Sequence, residues 1–148
     1  MKKLGESTNC FVCGLDNACS MKLEFYQDDQ GAVVSHAIIP ERYEGYPGMT
    51  HGGVIAAILD EVCGRTFIDH NTEFMVTAEL NIHYRKPVLI DTPIIAKGYQ
   101  VSREGRVARA RGEIVDEQGN LLAEAEGVYV FVPEERIKQN NPKLRKGE

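Results

Sequence analysis

One long apolar helix, predicted from Gly52 or Gly53 to about Asp69, limits the possible folds of this chain more than any other sequence feature. Thr50 or His51 is expected to cap its first turn. Because a helix that is apolar on most sides must be enclosed, the rest of the chain has to wrap around it. The apolar side chains recur at three- and four-residue intervals, at Val54, Ile55, Ile58, Leu59, Val62 and Phe67.

Most of the remaining sequence predicts strands joined by short turns. Short connections make neighbouring strands antiparallel. We therefore expect an α+β fold in which one antiparallel sheet curls round a single central helix. A polar tail, Glu134–Glu148, is predicted to have no fixed structure. The predicted strands are Lys22–Gln27, Ala32–Pro40, Met75–Lys86, Ile94–Arg103, Arg106–Asp116 and Leu121–Val132.

The strand Met75–Lys86 has the clearest alternation of apolar and polar residues. This pattern predicts that Thr77 and Leu80 point to opposite faces of the sheet. One face would carry Val76, Ala78, Leu80, Ile82 and Tyr84, and the other Thr77, Glu79, Asn81, His83 and Arg85.

Length and charge narrow the class of protein. The chain has 148 residues, 43% of them hydrophobic, which suits one domain with one core. A net charge of −5 argues against nucleic acid as a partner. The start of the chain has no apolar signal segment, and no apolar run is long enough to span a bilayer. We expect a soluble, cytoplasmic protein that does not bind membranes.

The cysteines allow two interpretations. Cys10 and Cys13 have the two-residue spacing of a zinc knuckle or a redox pair. A structural zinc site usually needs a second pair of ligands, and only Cys19 lies near in the sequence. We therefore expect reduced cysteines that pack against the protein, and no metal. Cys63 lies inside the apolar run and is expected in the core.

Two adjacent acids, Asp60 and Glu61, interrupt the helix pattern. Arg65 is placed four residues after Glu61, which predicts an ion pair on a solvated helix face. Asp60 has no such partner, and its neighbours one turn away are small. A carboxylate there would be partly desolvated and a stronger base, which suits catalysis. An Asp60 hydrogen-bonded to neighbouring backbone explains the pattern equally well.

Gly52 and Gly53 stand where the first helix amides have no internal partner and carry the positive end of the dipole. These N–H groups could stabilise negative charge on a carbonyl oxygen during attack. Alternatively, the glycines only serve the turn into the helix. His51 could cap the helix, contact substrate or transfer protons, and the positioning role is favoured.

Two segments carry a resemblance to a known family. "PGMTHGGVIAAILDE" resembles hotdog-fold acyl-CoA thioesterases, in the group of the phenylacetate-degradation type and the mammalian superfamily members 4 and 5. That family places an acid nine positions after the histidine, here Asp60 after His51. "VTAELNIHYRKPV" and the cysteine-rich start resemble the family as well, so the similarity covers about residues 9–132.

The resemblance implies a single hotdog domain that hydrolyses an acyl-CoA thioester without a cofactor, coenzyme A being part of the substrate. It implies a homodimer or a dimer of dimers, with active sites between chains. Asp60 would be the base or nucleophile and His51 a positioning residue. The backbone at Gly52 and Gly53 would hold the carbonyl, and Thr77 from the partner strand would orient water or Asp60.

Three further points follow from the comparison with that family. The phenylacetate-type asparagine before the histidine is missing, since the loop here reads Glu44-Gly45-Tyr46. Arg85 and Lys86 close the matching strand and are candidates for binding the phosphates of coenzyme A. A hydroxyacyl thioester dehydratase and a non-catalytic acyl-CoA-binding module remain alternatives to the hydrolase.

Overall fold

The central helix is shorter than predicted. The computed structural model describes residues 1–5, 9–68 and 73–145. Helix α1 spans Gly52–Gly64 and is followed by a turn at residues 65–67, so the predicted continuation is wrong there, and Asp69 lies outside the described residues. The buried face of α1 is the predicted one, with Ile55, Ile58, Leu59, Val62 and Cys63.

In the described part of the chain, one antiparallel sheet of seven strands packs against α1, which confirms the predicted architecture. The spatial order is β1-β2-β3-β5-β6-β7-β4, so the long strand β4 lies at one edge. The predicted strand Lys22–Gln27 is reduced to Tyr26–Gln27: Lys22 adopts a positive φ of 50°, and the Leu23 N–H donates to the carbonyl oxygen of Val12 in the N-terminal loop. The strands are β1 Lys2–Lys3, β2 Tyr26–Gln27, β3 Val33–Ile38, β4 Glu73–Tyr84, β5 Pro93–Glu104, β6 Val107–Asp116 and β7 Leu121–Pro133.

The tail contains structure that the sequence did not predict. Two short helices, α2 at Glu134–Asn140 and α3 at Pro142–Arg145, follow β7 directly. Acidic residues occupy the first turn of α2, where they complement the helix dipole, and Lys138 pairs with Glu134 at 3.4 Å. None of the helices in the described part of the chain has the length and hydrophobicity needed to cross a membrane.

Helix and sheet come into close contact at a pair of glycines. Gly98 of β5 and Gly112 of β6 face each other in register beneath α1. A Cβ at Gly98 would collide with the carbonyl oxygen of Val62, and a Cβ at Gly112 would lie 2.8 Å from Cys63 Sγ. Because these two glycines have no side chains, α1 can pack close against the sheet. This close packing sets the distance between Asp60 and the strands.

Candidate active site

Asp60 lies half-buried where α1 meets the edge of the sheet, and two hydroxyl groups bind it. Thr77 Oγ1 of β4 donates to Asp60 Oδ1 at 2.9 Å. Tyr129 Oη of β7 lies 3.1 Å from the same oxygen and 3.1 Å from the Asp60 carbonyl oxygen. Asp60 is thus held by two side chains, and the alternative of an acid bonded only to neighbouring backbone is excluded.

A β-bulge explains how Thr77 reaches Asp60. Thr77 is paired with Tyr129, but Glu79 is paired with Val128, so Ala78 is an extra residue in β4. An extra residue reverses which face the following side chains occupy. Thr77 therefore shares the helix side of the sheet with Leu80, and the uninterrupted alternation predicted for this strand is wrong. The contact with Asp60 is made by Thr77 of the same chain, whereas the resemblance implied a threonine from a partner strand, which stays a prediction.

Tyr129 and Cys63 form the buried side of this site. Both are buried where α1 packs on the sheet, Cys63 on the helix and Tyr129 on β7, in a small cluster with Ala108, Ala110 and Phe131. Burial raises the pKa of the Cys63 thiol to about 12, a hydrogen bond from Tyr129 opposes this, and the charge of Asp60 adds to it. Burial also raises the pKa of Tyr129, with further increases from the charges of Cys63 and Asp60. Tyr129 therefore remains a protonated hydrogen-bond donor to Asp60.

The N-terminus of α1 is capped by His51, one of the two residues predicted for this position. His51 Nδ1 accepts a hydrogen bond from the Gly53 N–H at 2.8 Å, and the N–H groups of Val54 and Ile55 point to the His51 carbonyl oxygen. The N–H of Gly52 has no acceptor among the described residues. The resemblance implied that the backbone at both Gly52 and Gly53 holds the carbonyl. Of these two amides the geometry favours Gly52, because the Gly53 N–H already donates to His51.

The same bond defines the state of the His51 ring. A nitrogen that accepts an amide hydrogen carries no proton, so the N–H of the neutral ring lies at Nε2. His51 thereby fixes the first turn of α1 and keeps one donor, Nε2–H, that can reach a ligand. Its role in positioning follows from this contact, and a role in proton transfer stays a prediction.

A cleft of about 740 Å³ opens beside the capped helix end. Arg85 and Lys86 line it together with His51 and Gly52, so two predicted binding residues lie next to the predicted amide site. Arg85 also pairs with Glu124 at 3.0 Å. The other lining residues are Glu44, Gly45, Tyr46, Met49, Thr50, Ile55, Tyr84, Pro87 and Val88.

The predicted site residues fall into two separate groups within one chain. His51, Gly52, Arg85 and Lys86 line the cleft, whereas Asp60 is not among the lining residues and is bound by Thr77 further back along β4. Gly52 and Asp60 are eight positions apart along the helix, a rise of about 12 Å. A carbonyl held at the free amide of Gly52 therefore lies outside the reach of Asp60 in the same chain.

Sequence reasoning missed Tyr129 and Tyr84 as site residues and considered Thr50 only as a possible helix cap. Tyr129 was included only as part of an apolar strand, and nothing local indicated its contact with Asp60. Tyr84 donates to the carbonyl oxygen of Gly52 at 2.8 Å and so fixes the first residue of α1 against β4. Thr50 lines the cleft, and its buried hydroxyl has no partner among the described residues. A buried hydroxyl without a partner is suited to a ligand.

The pairing of Glu61 with Arg65 is confirmed, but the predicted solvent exposure is wrong. Arg65 Nε donates to Glu61 Oε1 at 2.9 Å, while only 6% of the Arg65 side chain and 23% of the Glu61 side chain are exposed. The N-terminal loop covers the pair, and Arg65 Nη2 donates to Cys13 Sγ at 2.8 Å. Burial would lower the pKa of Arg65, but Glu61 and Cys13 raise it above its ordinary value.

Comparisons with known proteins agree with this architecture. Residues 47–123, slightly more than half of the chain, match the family model described as thioesterase superfamily. Acyl-coenzyme A thioesterase THEM4 of Mus musculus is 30% identical over 138 residues, which are 92% of this chain but only 57% of the mouse protein. The chain therefore spans little more than half of that relative.

Solved structures share the fold. A crystal structure of a thioesterase superfamily protein has a TM-score of 0.76 and 28% identity, over 85% of this chain and 65% of the other. A Bacillus halodurans protein solved with CoA has a TM-score of 0.68 and 25% identity, over 78% of this chain and 77% of the other. The neighbours thus include a protein that binds CoA.

Proposed function

Because the chain belongs to the thioesterase superfamily, we propose that it hydrolyses an acyl-CoA thioester to a free carboxylic acid and coenzyme A. The observation that carries this proposal is the pair of half-sites. One holds a carboxylate bonded to two hydroxyl groups, and the other holds a free helix amide beside a cleft with two cations. Hydrolysis of a thioester needs both parts, because a base must remove a proton from water and a hydrogen-bond donor must stabilise the carbonyl oxygen.

We propose that two copies of the chain join these half-sites. Strand β4 has 12 residues, lies at the edge of the sheet and exposes Val76, Thr77 and Ala78 beside Asp60. A long unprotected edge strand is a template for pairing with a second chain. In a two-fold dimer, Gly52 of one copy can face Asp60 of the other, which gives two equivalent sites. A dimer of dimers is compatible with the same contact.

In the proposed reaction Asp60 removes a proton from a water molecule. The resulting hydroxide attacks the thioester carbon, and the N–H of Gly52 stabilises the negative charge that develops on the carbonyl oxygen. When the tetrahedral intermediate collapses, the carbon–sulfur bond breaks and the coenzyme A thiolate leaves with the bonding electrons. The thiolate then takes up a proton, so the products are the acid and the thiol.

The hydrogen bonds to Asp60 support the general-base route over covalent attack. Thr77 and Tyr129 both bind Oδ1, and Oδ2 has no hydrogen bond to the described residues. A carboxylate held in this way keeps one oxygen directed to water. In heavy-oxygen water, a single turnover should label the released acid alone. Label in the Asp60 side chain would instead demonstrate a mixed anhydride and would overturn this route.

In this proposal the cationic side chains of Arg85 and Lys86 give the cleft its specificity for coenzyme A. Arg85 and Lys86 lie on the same stretch of chain at the cleft wall and can bind phosphate groups. The His51 Nε2–H and the hydroxyl of Thr50 supply donors nearer the helix. The acyl group would then extend from the cleft across the dimer interface, toward Asp60 of the second copy.

Complementation between two inactive variants tests the proposal. Gly52→Pro removes the N–H donor at the first helical position, where proline is compatible with the backbone and with His51 at ψ 136°. Asp60→Asn removes the base. Each variant alone should lose thiol release, whereas co-expression should restore about a quarter of wild-type activity, because half of the dimers would contain one intact site.

Gly52→Ala is the matched control, since it keeps the N–H and its Cβ would come no closer than 3.7 Å to Tyr84. This variant should retain activity. Absence of complementation would contradict the shared site while leaving hydrolysis itself intact. Binding of acyl-CoA by the wild type without thiol release would refute the hydrolase in favour of a binding module.

A further inference from the structure

Cys10, Cys13 and Glu61 form a cluster that shares no residue with either half-site, although Glu61 directly follows Asp60 in α1. Their ligand atoms all lie within 4.8 Å of one another. Cys13 Sγ is 3.5 Å from Glu61 Oε1, and Cys10 Sγ is 4.0 Å from both oxygens of that carboxylate. The proposed hydrolysis uses none of these side chains. Sequence spacing could not identify the cluster, because Glu61 is 48 residues away from Cys13.

The turn that carries the two cysteines is fixed by its backbone. The Val12 N–H donates to Cys10 Sγ at 3.3 Å, and the Gly14 N–H donates to the Cys10 carbonyl oxygen at 2.8 Å. A Cβ at Gly14 would collide with the backbone of Cys10, so only glycine fits there. Hydrogen bonds to the backbone therefore hold the tight turn. From this turn both sulfurs lie within 4.0 Å of the Glu61 carboxylate.

The distances within the cluster suit a four-coordinate metal ion. Zinc binds thiolate sulfur at about 2.3 Å and carboxylate oxygen at about 2.0–2.2 Å, so tetrahedral ligands lie about 3.5–3.8 Å apart. The sulfur–oxygen distances of 3.5 and 4.0 Å need only small adjustments to reach this arrangement. Glu61 is partly exposed, with 23% of its side chain accessible, which leaves a path for the ion and for a water molecule as the fourth ligand.

Charge does not oppose binding in this partly buried position. Each thiol that binds the ion releases its proton, so a divalent cation replaces two protons and the net charge of the cluster is unchanged. Arg65 already donates to Cys13 Sγ at 2.8 Å and to Glu61 Oε1 at 2.9 Å. A hydrogen-bond donor behind each ligand orients it and disperses its negative charge, as outer-shell groups do in metal sites.

We propose that Cys10, Cys13 and Glu61 bind a zinc-class divalent cation, which ties the N-terminal loop to the helix that carries Asp60. This site goes beyond the proposed hydrolysis, and it replaces the expectation from sequence that the cysteines bind no metal. Glu61 supplies the third ligand that sequence spacing could not find.

Cobalt binding provides the direct test. The full chain is kept reduced with a phosphine, treated with a chelator, and titrated with Co²⁺. We expect a sulfur-to-cobalt charge-transfer band, the intense visible bands of four-coordinate cobalt, and displacement of both by Zn²⁺ at about one ion per chain. Zinc should also raise the melting temperature of the wild type, because an ion that binds only the folded state stabilises it. Absence of the cobalt spectrum in the reduced wild type overturns the site.

Variants assign the ligands. Cys10→Ser, Cys13→Ser and Glu61→Gln should each weaken zinc binding at least about tenfold in competition with a chromophoric chelator. Cys19→Ser, which changes the exposed cysteine of the same loop, should bind zinc as the wild type does. Equal loss in the Cys19 variant, or unchanged affinity in both Cys10 and Cys13 variants, contradicts the assignment.

Discussion

Thr77 and Tyr129 lie opposite each other on the neighbouring strands β4 and β7, and both hydroxyl groups contact the same oxygen of Asp60. The two distances, 2.9 and 3.1 Å, are those of ordinary hydrogen bonds. The sheet therefore presents two donors to one helix carboxylate, and the orientation of Asp60 depends on the register of two strands.

Loss of the Thr77 hydroxyl should reduce catalysis without unfolding the chain. Thr77→Val keeps the shape of the side chain and removes the donor to Asp60. We expect kcat for thiol release to fall at least about tenfold with little change in KM, since the carboxylate loses one of its two fixing bonds. Thr77→Ser keeps a hydroxyl and should recover most of the activity. A Thr77→Val enzyme with wild-type kcat would contradict a role for this bond.

Tyr129→Phe should separate orientation of Asp60 from packing. The ring fills the same buried space, so the melting temperature should change by only a few degrees, whereas the hydroxyl that contacts Asp60 is lost. We expect a several-fold decrease in kcat, and a further decrease when Thr77→Val is added. If the double variant is no slower than either single variant, the two hydroxyls do not both act on Asp60.

Lys86 should affect binding of coenzyme A more than turnover. Lys86→Gln removes a charge from the cleft wall and should raise KM for acyl-CoA several-fold with kcat nearly unchanged. The effect should shrink in high salt and with a substrate that lacks the ribose phosphate, because both reduce the attraction between the phosphates and the cation. Equal KM values for Lys86→Gln and the wild type at low salt would exclude this contact.

Gly98→Ala should destabilise the fold although it adds a single methyl group. The new Cβ would collide with the carbonyl oxygen of Val62, which is backbone and cannot rotate away. We expect the free energy of unfolding in urea to fall by at least about 2 kcal/mol. Gly5→Ala, where no atom of the described residues lies within 4 Å of the added Cβ, is the matched control and should be neutral. Comparable stability of the two variants would refute the close approach of α1 to β5.

The buried Cys63 thiol should make stability sensitive to alkaline pH. Its folded pKa of about 12 lies above the ordinary value of 9.0, so the unfolded chain loses this proton first. The corresponding stabilisation is complete below pH 9 and disappears as the pH rises toward 12. In Cys63→Ala the free energy of unfolding should therefore decrease less between pH 8 and 10, by about 1 kcal/mol.

Urea unfolding of the wild type and Cys63→Ala at both pH values measures this difference. Cys19→Ala serves as the control, because that cysteine is exposed and its variant should follow the wild type. A Cys63→Ala chain with the same pH dependence as the wild type would show that ionisation of the thiol does not contribute.

The sequence alone determined the features that depend on local periodicity. These features are the apolar spacing of α1, the cap at His51, the antiparallel order of the long strands and the choice of Asp60 as a candidate catalytic residue. Each depends on residues within a few positions of one another. The chain therefore specifies them before any distant contact forms. The ion pair of Glu61 with Arg65 belongs to this group, since four residues on a helix always bring two side chains together.

Tertiary structure decided which residues from distant parts of the chain come into contact. The extra residue Ala78 places Thr77 on the helix side of the sheet. Tyr129, which is 69 residues after Asp60, contacts the same Asp60 oxygen from β7. The N-terminal loop buries Glu61 and joins it to Cys10 and Cys13. Such contacts depend on strand register and on the packing of distant segments, which periodicity does not encode.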